Sequence, residues 1–181
     1  AVATAALFFL LDWGMLALLP VASRSWGPVT PPLLGLALVR ALLYGGGLFL
    51  RSTALGFPLV LSLQAILSGI AVYATWIEPF RVRITRLTYP RPNWRGSKPL
   101  RMLHLSDIHF EGPTPREARI LEAVETLEPD LIVLTGDYLN LSSVYDPEAH
   151  AGTRRFLEQL HAPLGVYAVT GSPPVDVPGI V

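Results

Sequence analysis

Cysteine is absent from the 181 residues, which excludes disulfides, zinc–thiolate sites and iron–sulfur clusters. Histidine is absent before His104. The residues ahead of it offer no imidazole to a haem iron or a chlorophyll magnesium, so a cytochrome b-like or antenna role is disfavoured. Charge is scarce, at 15% of residues against about 25% in soluble domains, and the scarcity is uneven. Up to Glu78 the only charged residues are Asp12, Arg24, Arg40, Arg51 and Glu78. Residues 81–101 carry Arg81, Arg83, Arg86, Arg91, Arg95, Lys98 and Arg101 with no acid at all. Beyond Arg101, four basic residues (Arg116, Arg119, Arg154, Arg155) stand against twelve acids, a balance of −8. A formal net charge of zero thus conceals an apolar region, a basic collar and an acidic domain. The chain begins at Ala1 without a Met, and one reading is that the natural protein is longer at either end.

What is abundant is apolar sequence: 51% of residues are hydrophobic and the mean hydropathy is +0.43. Residues 2–20, 31–50 and 54–77 are three stretches of roughly the 20 residues needed to cross a hydrocarbon core as helix. Pro31 and Pro32 suit the start of the second, where a missing N–H costs nothing. Gly45, Gly46 and Gly47 would let another helix approach closely. Three buried helices of a soluble protein would be shorter or more polar, and a cleaved signal peptide would explain only the first stretch. Membrane spans are expected.

Asp12 and Arg40 fall near the middle of the first two spans. Lone charges there are costly and generally pair inside the bundle. Consecutive spans run antiparallel, so the two depths match, and an intramembrane ion pair is expected to clasp the helices. A proton or ion path, or a transporter, would need more polar residues than this. Three spans place Arg24 and the collar on one side and Arg51 on the other, seven or eight basic residues against one. The positive-inside bias then puts the C-terminal domain in the cytoplasm and the spans in the cell (inner) membrane. Arg81, Arg83 and Arg86 would rest on anionic lipid headgroups. The expected partners are the lipid bilayer and other membrane protein subunits, not nucleic acid.

Three regions follow: a transmembrane region at 1–78, a basic juxtamembrane strand and linker at 79–99, and a soluble domain at 100–181. In residues 80–87, Val82, Ile84 and Leu87 alternate with Arg81, Arg83 and Arg86 as in a half-buried strand, and residues 89–96 form a turn-rich connector. Residues 100–105, 130–135 and 165–169 are short apolar strands. Residues 116–127 place Ile120, Leu121, Val124 and Leu127 on one helical face, and residues 147–160 turn Phe156, Leu157 and Leu160 inward. Strand–helix–strand–helix–strand predicts an α/β unit with parallel strands.

Such sheets bind ligands where loops leave the carboxyl ends of the strands. Ser106-Asp107-Ile108-His109, Gly136-Asp137 and Gly171-Ser172-Pro173-Pro174 occupy those ends. Asp107 and His109, two apart on an extended segment, would point the same way, with Asp137 on the neighbouring strand. One imidazole and two carboxylates suit a divalent transition metal such as Mn, Fe or Zn, and Gly136 lets the backbone come close to whatever is held. The plainer readings are that His104 is a core histidine, His150 and His161 are solvated, and Glu122, Glu125 and Glu128 form a wet helix face. Arg154 and Arg155 could meet a phosphate, but they are expected mid-helix in the second helix, away from the strand ends.

LRMLHLSDIHF (100–110) and DLIVLTGD (130–137) resemble the first two signature blocks of the calcineurin-like metallophosphoesterases. Residues 77–85 resemble the membrane-proximal segment of that family's membrane-anchored bacterial branch. The resemblance covers about residues 75–171. It implies a partial metallophosphoesterase βαβαβ sheet attached to about three transmembrane helices, with Asp107 and His109 binding a first metal and Asp137 bridging two. The metal pair of that family clamps a phosphate and activates water for in-line attack.

The third block departs from the family. Members end the next strand with Gly-Asn-His and an acid, where Asn binds the second metal and His assists the leaving group. Here Ser172 and Pro173 take those places. A serine hydroxyl is a weak ligand for a transition metal, and proline has no side chain for acid catalysis. The later histidines of the family lie beyond Val181. The resemblance therefore implies a degenerate phosphoesterase kept as a structural or accessory subunit of a membrane complex. The alternative is an active phosphohydrolase on a lipid-linked phosphate, its site completed by a further C-terminal segment.

Overall fold

The computed structural model describes residues 2–24, 27–50, 53, 55–173 and 175–176. Arg51 and Pro174 lie outside the described residues. The chain divides into two units, Ala1–Phe80 and Arg81–Val181.

In the first unit, helices α1 (Val2–Val21), α2 (Thr30–Phe49) and α3 (Gly56–Val72) follow the three apolar stretches. Pro31 and Pro32 occupy the first turn of α2. Past Val72 the helix widens into a π-helical turn, Tyr73–Ile77, and tightens into a 3-10 turn, Glu78–Phe80. Pro79 lacks the N–H that would continue the α ladder, so irregular geometry is expected there. With these turns included, Gly56–Phe80 is the third of three helices long and apolar enough to cross a membrane, beside Ala3–Val21 and Thr30–Phe49. The chain is a membrane protein. The carbonyl of Trp76 accepts from Arg24 Nη1 at 2.6 Å, and the Arg24 guanidinium lies 5.1 Å from the Phe80 ring centre. Trp76 Nε1 donates to the Met15 carbonyl at 3.1 Å, tying the end of the third span to the first. A Cβ on Gly47 would strike the Val60 side chain, whereas Gly45 and Gly46 face open space. One glycine of the three serves close packing.

The second unit holds strands β1 (Met102–Leu105), β2 (Leu131–Leu134) and β3 (Val166–Ala168), with helix α4 (Pro115–Leu127) between the first two and α5 (Pro147–Leu157) between the last two. The order is β1-β2-β3 and both pairings are parallel. Thr114 and Glu117 form a reciprocal capping box at the start of α4, and Asp146 caps α5 by accepting from Glu148 N at 2.9 Å. The strands meet in register with Leu103 beside Ile132 and Leu105 beside Leu134. This face packs on Val124, Ile120 and Leu121 of α4 and on Ala149, Phe156 and Leu160. The Phe110 ring stacks on Phe156 at 6.4 Å between centres, and Gly152 of α5 leaves room for it. Both connecting helices thus cover one face, as right-handed crossovers that advance in one direction require.

Several expectations are corrected. Residues 80–87 form no strand: Phe80 ends the 3-10 turn, and 81–90 carry no regular element. Alternation alone cannot make a strand whose backbone groups have no partner strand, and none pairs with it among the described residues. His104 is exposed rather than core. It shares the second sheet face with Met102 and Tyr167, each 61% exposed, which no described helix covers, and its Nε2 lies 2.7 Å from Thr135 Oγ1. His150 is half-buried, with Nε2 donating to the Val144 carbonyl at 2.7 Å. Helix α5 ends at Leu157, so Arg154 and Arg155 occupy its last turn, where cations complement the helix dipole.

Candidate metal centre

The loops leaving β1 and β2 run side by side beyond the strands. Asp107 N donates to the Gly136 carbonyl at 3.2 Å, His109 N to Asp137 O at 2.9 Å, and Phe110 N to Tyr138 O at 2.7 Å. Between these bonds the backbone kinks. Among the described residues five non-glycines have positive φ, and three of them are Asp107 (54°), His109 (45°) and Asp137 (54°). Such left-handed conformations cost an L-residue on the order of 1 kcal/mol or more and concentrate at functional sites.

The kinks bring the side chains together. One ligand atom from each of Asp107, His109 and Asp137 lies within 4.8 Å of the other two. The expected convergence holds, but its cause is not alternation along an extended strand. β1 stops at Leu105, and the left-handed turns aim Asp107 and His109. His109 Nδ1 donates to the Leu139 carbonyl at 3.3 Å. Since a carbonyl only accepts, this bond fixes the ring by Nδ1 and turns Nε2 toward the site, 3.9 Å from Asp107 Oδ1. An imidazole oriented by its other nitrogen is the usual state of a metal-binding histidine. The donor set fits a divalent ion, with Asp107 open to solvent.

The loop after β3 closes on the same place. Ser172 N donates to Asp137 Oδ1 at 2.8 Å. That bond, with a second from the Ser172 hydroxyl, holds the Asp137 carboxyl below its ordinary value. Burial opposes the shift, and His109 adds to it by less. Ser172 thus meets the candidate metal centre through both its amide and its hydroxyl. Gly136, at φ +92°, has no space for a Cβ, which would collide with the Gly171 backbone.

Two residues that sequence reasoning passed over frame the site. Arg116 Nη2 donates to the carbonyls of Ile108 at 2.6 Å and His109 at 3.4 Å, while its Nε donates to Glu117 at 2.9 Å. It therefore ties α4 to the β1 loop. Asp176, 5% exposed, accepts from Asp137 N at 2.8 Å, Tyr138 N at 2.9 Å and Gly171 N at 2.5 Å. No spacing rule points to an acid five residues beyond a strand-end glycine.

The other residues singled out from sequence lie elsewhere. Asp12 and Arg40 face each other inside the first unit, with Arg40 Nε and Nη2 donating to Asp12 at 2.6 and 2.7 Å. Arg81, Arg83 and Arg86 are exposed along the irregular segment. Glu122, Glu125 and Glu128 are exposed on α4 and its cap, and His161 is exposed.

Comparison with known proteins agrees with the two sequence blocks. Residues 100–172 match the family described as calcineurin-like phosphoesterase. Over 104 residues the chain is 35% identical to the UDP-2,3-diacylglucosamine pyrophosphatase LpxG of Chlamydia trachomatis, an alignment covering 56% of this chain and 31% of that protein. LpxG of Chlamydia muridarum is 33% identical over the same shares. The chain therefore spans about a third of the length of the curated relatives it matches. No solved structure matches it. A segment similar to the calcineurin-like phosphoesterases thus follows helices able to span a membrane.

Proposed function

We propose that this chain is the membrane-anchored front part of a metal-dependent phosphohydrolase acting on a lipid-linked phosphoester. The observation that carries the reading is the approach of Asp107, His109 and Asp137 to within 4.8 Å on loops held in left-handed turns. Asp107, His109 and Asp137 would hold a divalent ion. Such an ion supplies positive charge toward a phosphoryl group and lowers the pKa of water. The chain's own part is to orient the His109 ring through the Leu139 carbonyl and to keep Asp137 ionised through Ser172. The similarity to two enzymes named for a diacylated UDP-sugar supports a substrate carrying acyl chains, and three apolar helices would anchor the chain in the bilayer where such a substrate lies. The basic collar supports a domain on the cytoplasmic side of the inner membrane, with Arg81, Arg83 and Arg86 over anionic headgroups.

A second reading is favoured by Ser172 and Pro173, which replace a metal ligand and an acid in the family pattern. In it, the fold serves as an accessory subunit without turnover.

The test is manganese-dependent hydrolysis of UDP-2,3-diacylglucosamine by the full chain in detergent, with bound metal measured in parallel. Turnover that disappears in Asp137→Asn supports the hydrolase. Bound metal without turnover favours the accessory subunit. Neither metal nor turnover overturns both the metal centre and the hydrolase.

A further inference from the structure

We infer that Asp176 is a positioning residue for the metal centre: one buried carboxylate that clamps the loops after β2 and β3 and so sets where Asp137 stands. The inference rests on the metal reading of Asp107, His109 and Asp137 given above. Asp176 touches none of the metal-facing atoms. Its Oδ2 accepts from Asp137 N and Gly171 N, and its Oδ1 from Tyr138 N. Three amides, two on one loop and one on the next, thus converge on a single side chain that is itself buried.

The surroundings explain how the carboxylate reaches both loops. Gly136 and Gly171 approach so closely that a Cβ on either would collide with the opposite loop. A turn in which Val175 N and Asp176 N donate to the Ser172 carbonyl, at 2.9 and 3.0 Å, brings the chain back under the loops. Val175 seats in the core cluster beneath. Asp137 is consequently held twice, by its amide on Asp176 and by its carboxylate under Ser172 N. Its left-handed backbone (φ 54°) persists only where surrounding structure over-determines it. Three amides left without an acceptor would pull that conformation apart. Loss of an outer partner of this kind lowers metal affinity about 10- to 100-fold in known sites.

The experiment is Mn2+ titration calorimetry on the full chain in detergent, comparing wild type with Asp176→Ala, Asp176→Asn and the core truncation Leu160→Ala. Hydrogen exchange is followed at the amides of Asp137, Tyr138 and Gly171. The expected result for Asp176→Ala is an affinity for Mn2+ lowered at least 10-fold, with faster exchange at those three amides. Asp176→Asn keeps one acceptor oxygen and is expected to fall between wild type and alanine. Leu160→Ala, which truncates the core and leaves the three amide bonds to Asp176 in place, is expected to lower the melting temperature and leave the affinity unchanged. If the alanine variant fails to fold, the asparagine variant decides the question. A folded Asp176 variant that binds Mn2+ as wild type does overturns the positioning role alone. A wild-type chain that takes up no Mn2+ overturns the metal reading, and the positioning role with it.

Discussion

Arg40 meets Asp12 side-on, its Nε and Nη2 donating to the two carboxylate oxygens at 2.6 and 2.7 Å. The pair does not stand alone. Nη1 donates to the side-chain and backbone oxygens of Gln64 at 2.8 and 3.2 Å, and Nη2 to Ser68 Oγ at 2.9 Å. The guanidinium also lies 4.7 Å from the Phe8 ring centre. One side chain on α2 therefore binds α1 and α3 together. Asp12, Arg40 and Gln64 are 3%, 4% and 0% exposed. Satisfaction on every side suits a clasp. A conduit would need a path of polar groups leading onward.

Asp12→Asn would leave Arg40 buried with a neutral partner that can accept only once in the same geometry. Breaking one side of a buried pair costs about 3–5 kcal/mol in soluble proteins. Asp12→Asn is accordingly expected to lower the detergent melting temperature of the helical unit. Asp12→Leu combined with Arg40→Met should recover much of that loss, because the desolvation cost disappears along with the bond. Thermal melts of the three variants in one detergent check this. Equal stability of wild type and Asp12→Asn would remove the clasp.

Much of this could be read from residues alone, and the limits have physical causes. Spans declare themselves by length, and the facing of Ile120, Leu121 and Val124 follows from helical period. Asp107, His109 and Asp137 were findable because strand ends and motif spacing both point there. The left-handed turns that join them were not, since nothing local distinguishes an Asp at φ 54° from one in an extended chain. The segment 80–87 failed as a strand because pairing is a long-range property that its alternation cannot carry. His104 was misplaced for a related reason. Both crossover helices lie on one sheet face, so alternation assigns His104 to a face without stating whether anything covers it. Asp176 works through three backbone amides, which leave no trace in side-chain pattern.

Gly136→Ala tests the close approach of the site loops. At φ +92° an alanine is strained, and its Cβ would meet the Gly171 backbone and Asp176 Oδ2. The expected cost is about 2 kcal/mol or more, since both backbone strain and steric displacement apply. Calorimetric Mn2+ affinity should fall together with stability, because the residue that moves adjoins Asp137. An alanine variant as stable as wild type would mean that the two loops stand further apart than described.

Tyr138 should govern an alkaline loss of stability. Its phenol is held above the ordinary tyrosine range, chiefly by burial and then by the nearby Asp176 charge, while its hydrogen bonds with Gly136 and Val169 act the other way. A raised native pKa adds stability that is complete below the unfolded tyrosine value of about 10. That stability is lost as pH rises toward the native pKa, because only the unfolded chain has released its proton. Tyr138→Phe removes this linkage and also the 2.6 Å bond to the Val169 carbonyl, at about 1 kcal/mol. Denaturant melts near neutral pH and above pH 10 should show a variant weaker than wild type at the first and closer to it at the second. Asp137 carries the opposite sign. Its lowered pKa means that its contribution is present above about pH 4 and fades as acid reaches the native value.

Ser172→Asn with Pro173→His distinguishes a dormant site from an incomplete one. Ser172 already lies against the candidate centre, its amide 2.8 Å from Asp137 Oδ1, so an asparagine there would stand at its edge without moving the loop. A histidine at 173 would supply the proton donor that proline cannot, an effect worth about 100-fold or more in rate where geometry permits. If Asp107, His109 and Asp137 form a working half-site, the double variant is expected to raise manganese-dependent phosphodiester hydrolysis at least 10-fold over wild type. The added turnover should vanish again when Asp137→Asn is combined with it. Should the double variant bind Mn2+ more tightly but turn over no faster, the groups still wanting are not those at 172 and 173. Unchanged metal binding and unchanged turnover would instead mean that the loop after β3 does not face the site in solution, contrary to the contact between Ser172 and Asp137.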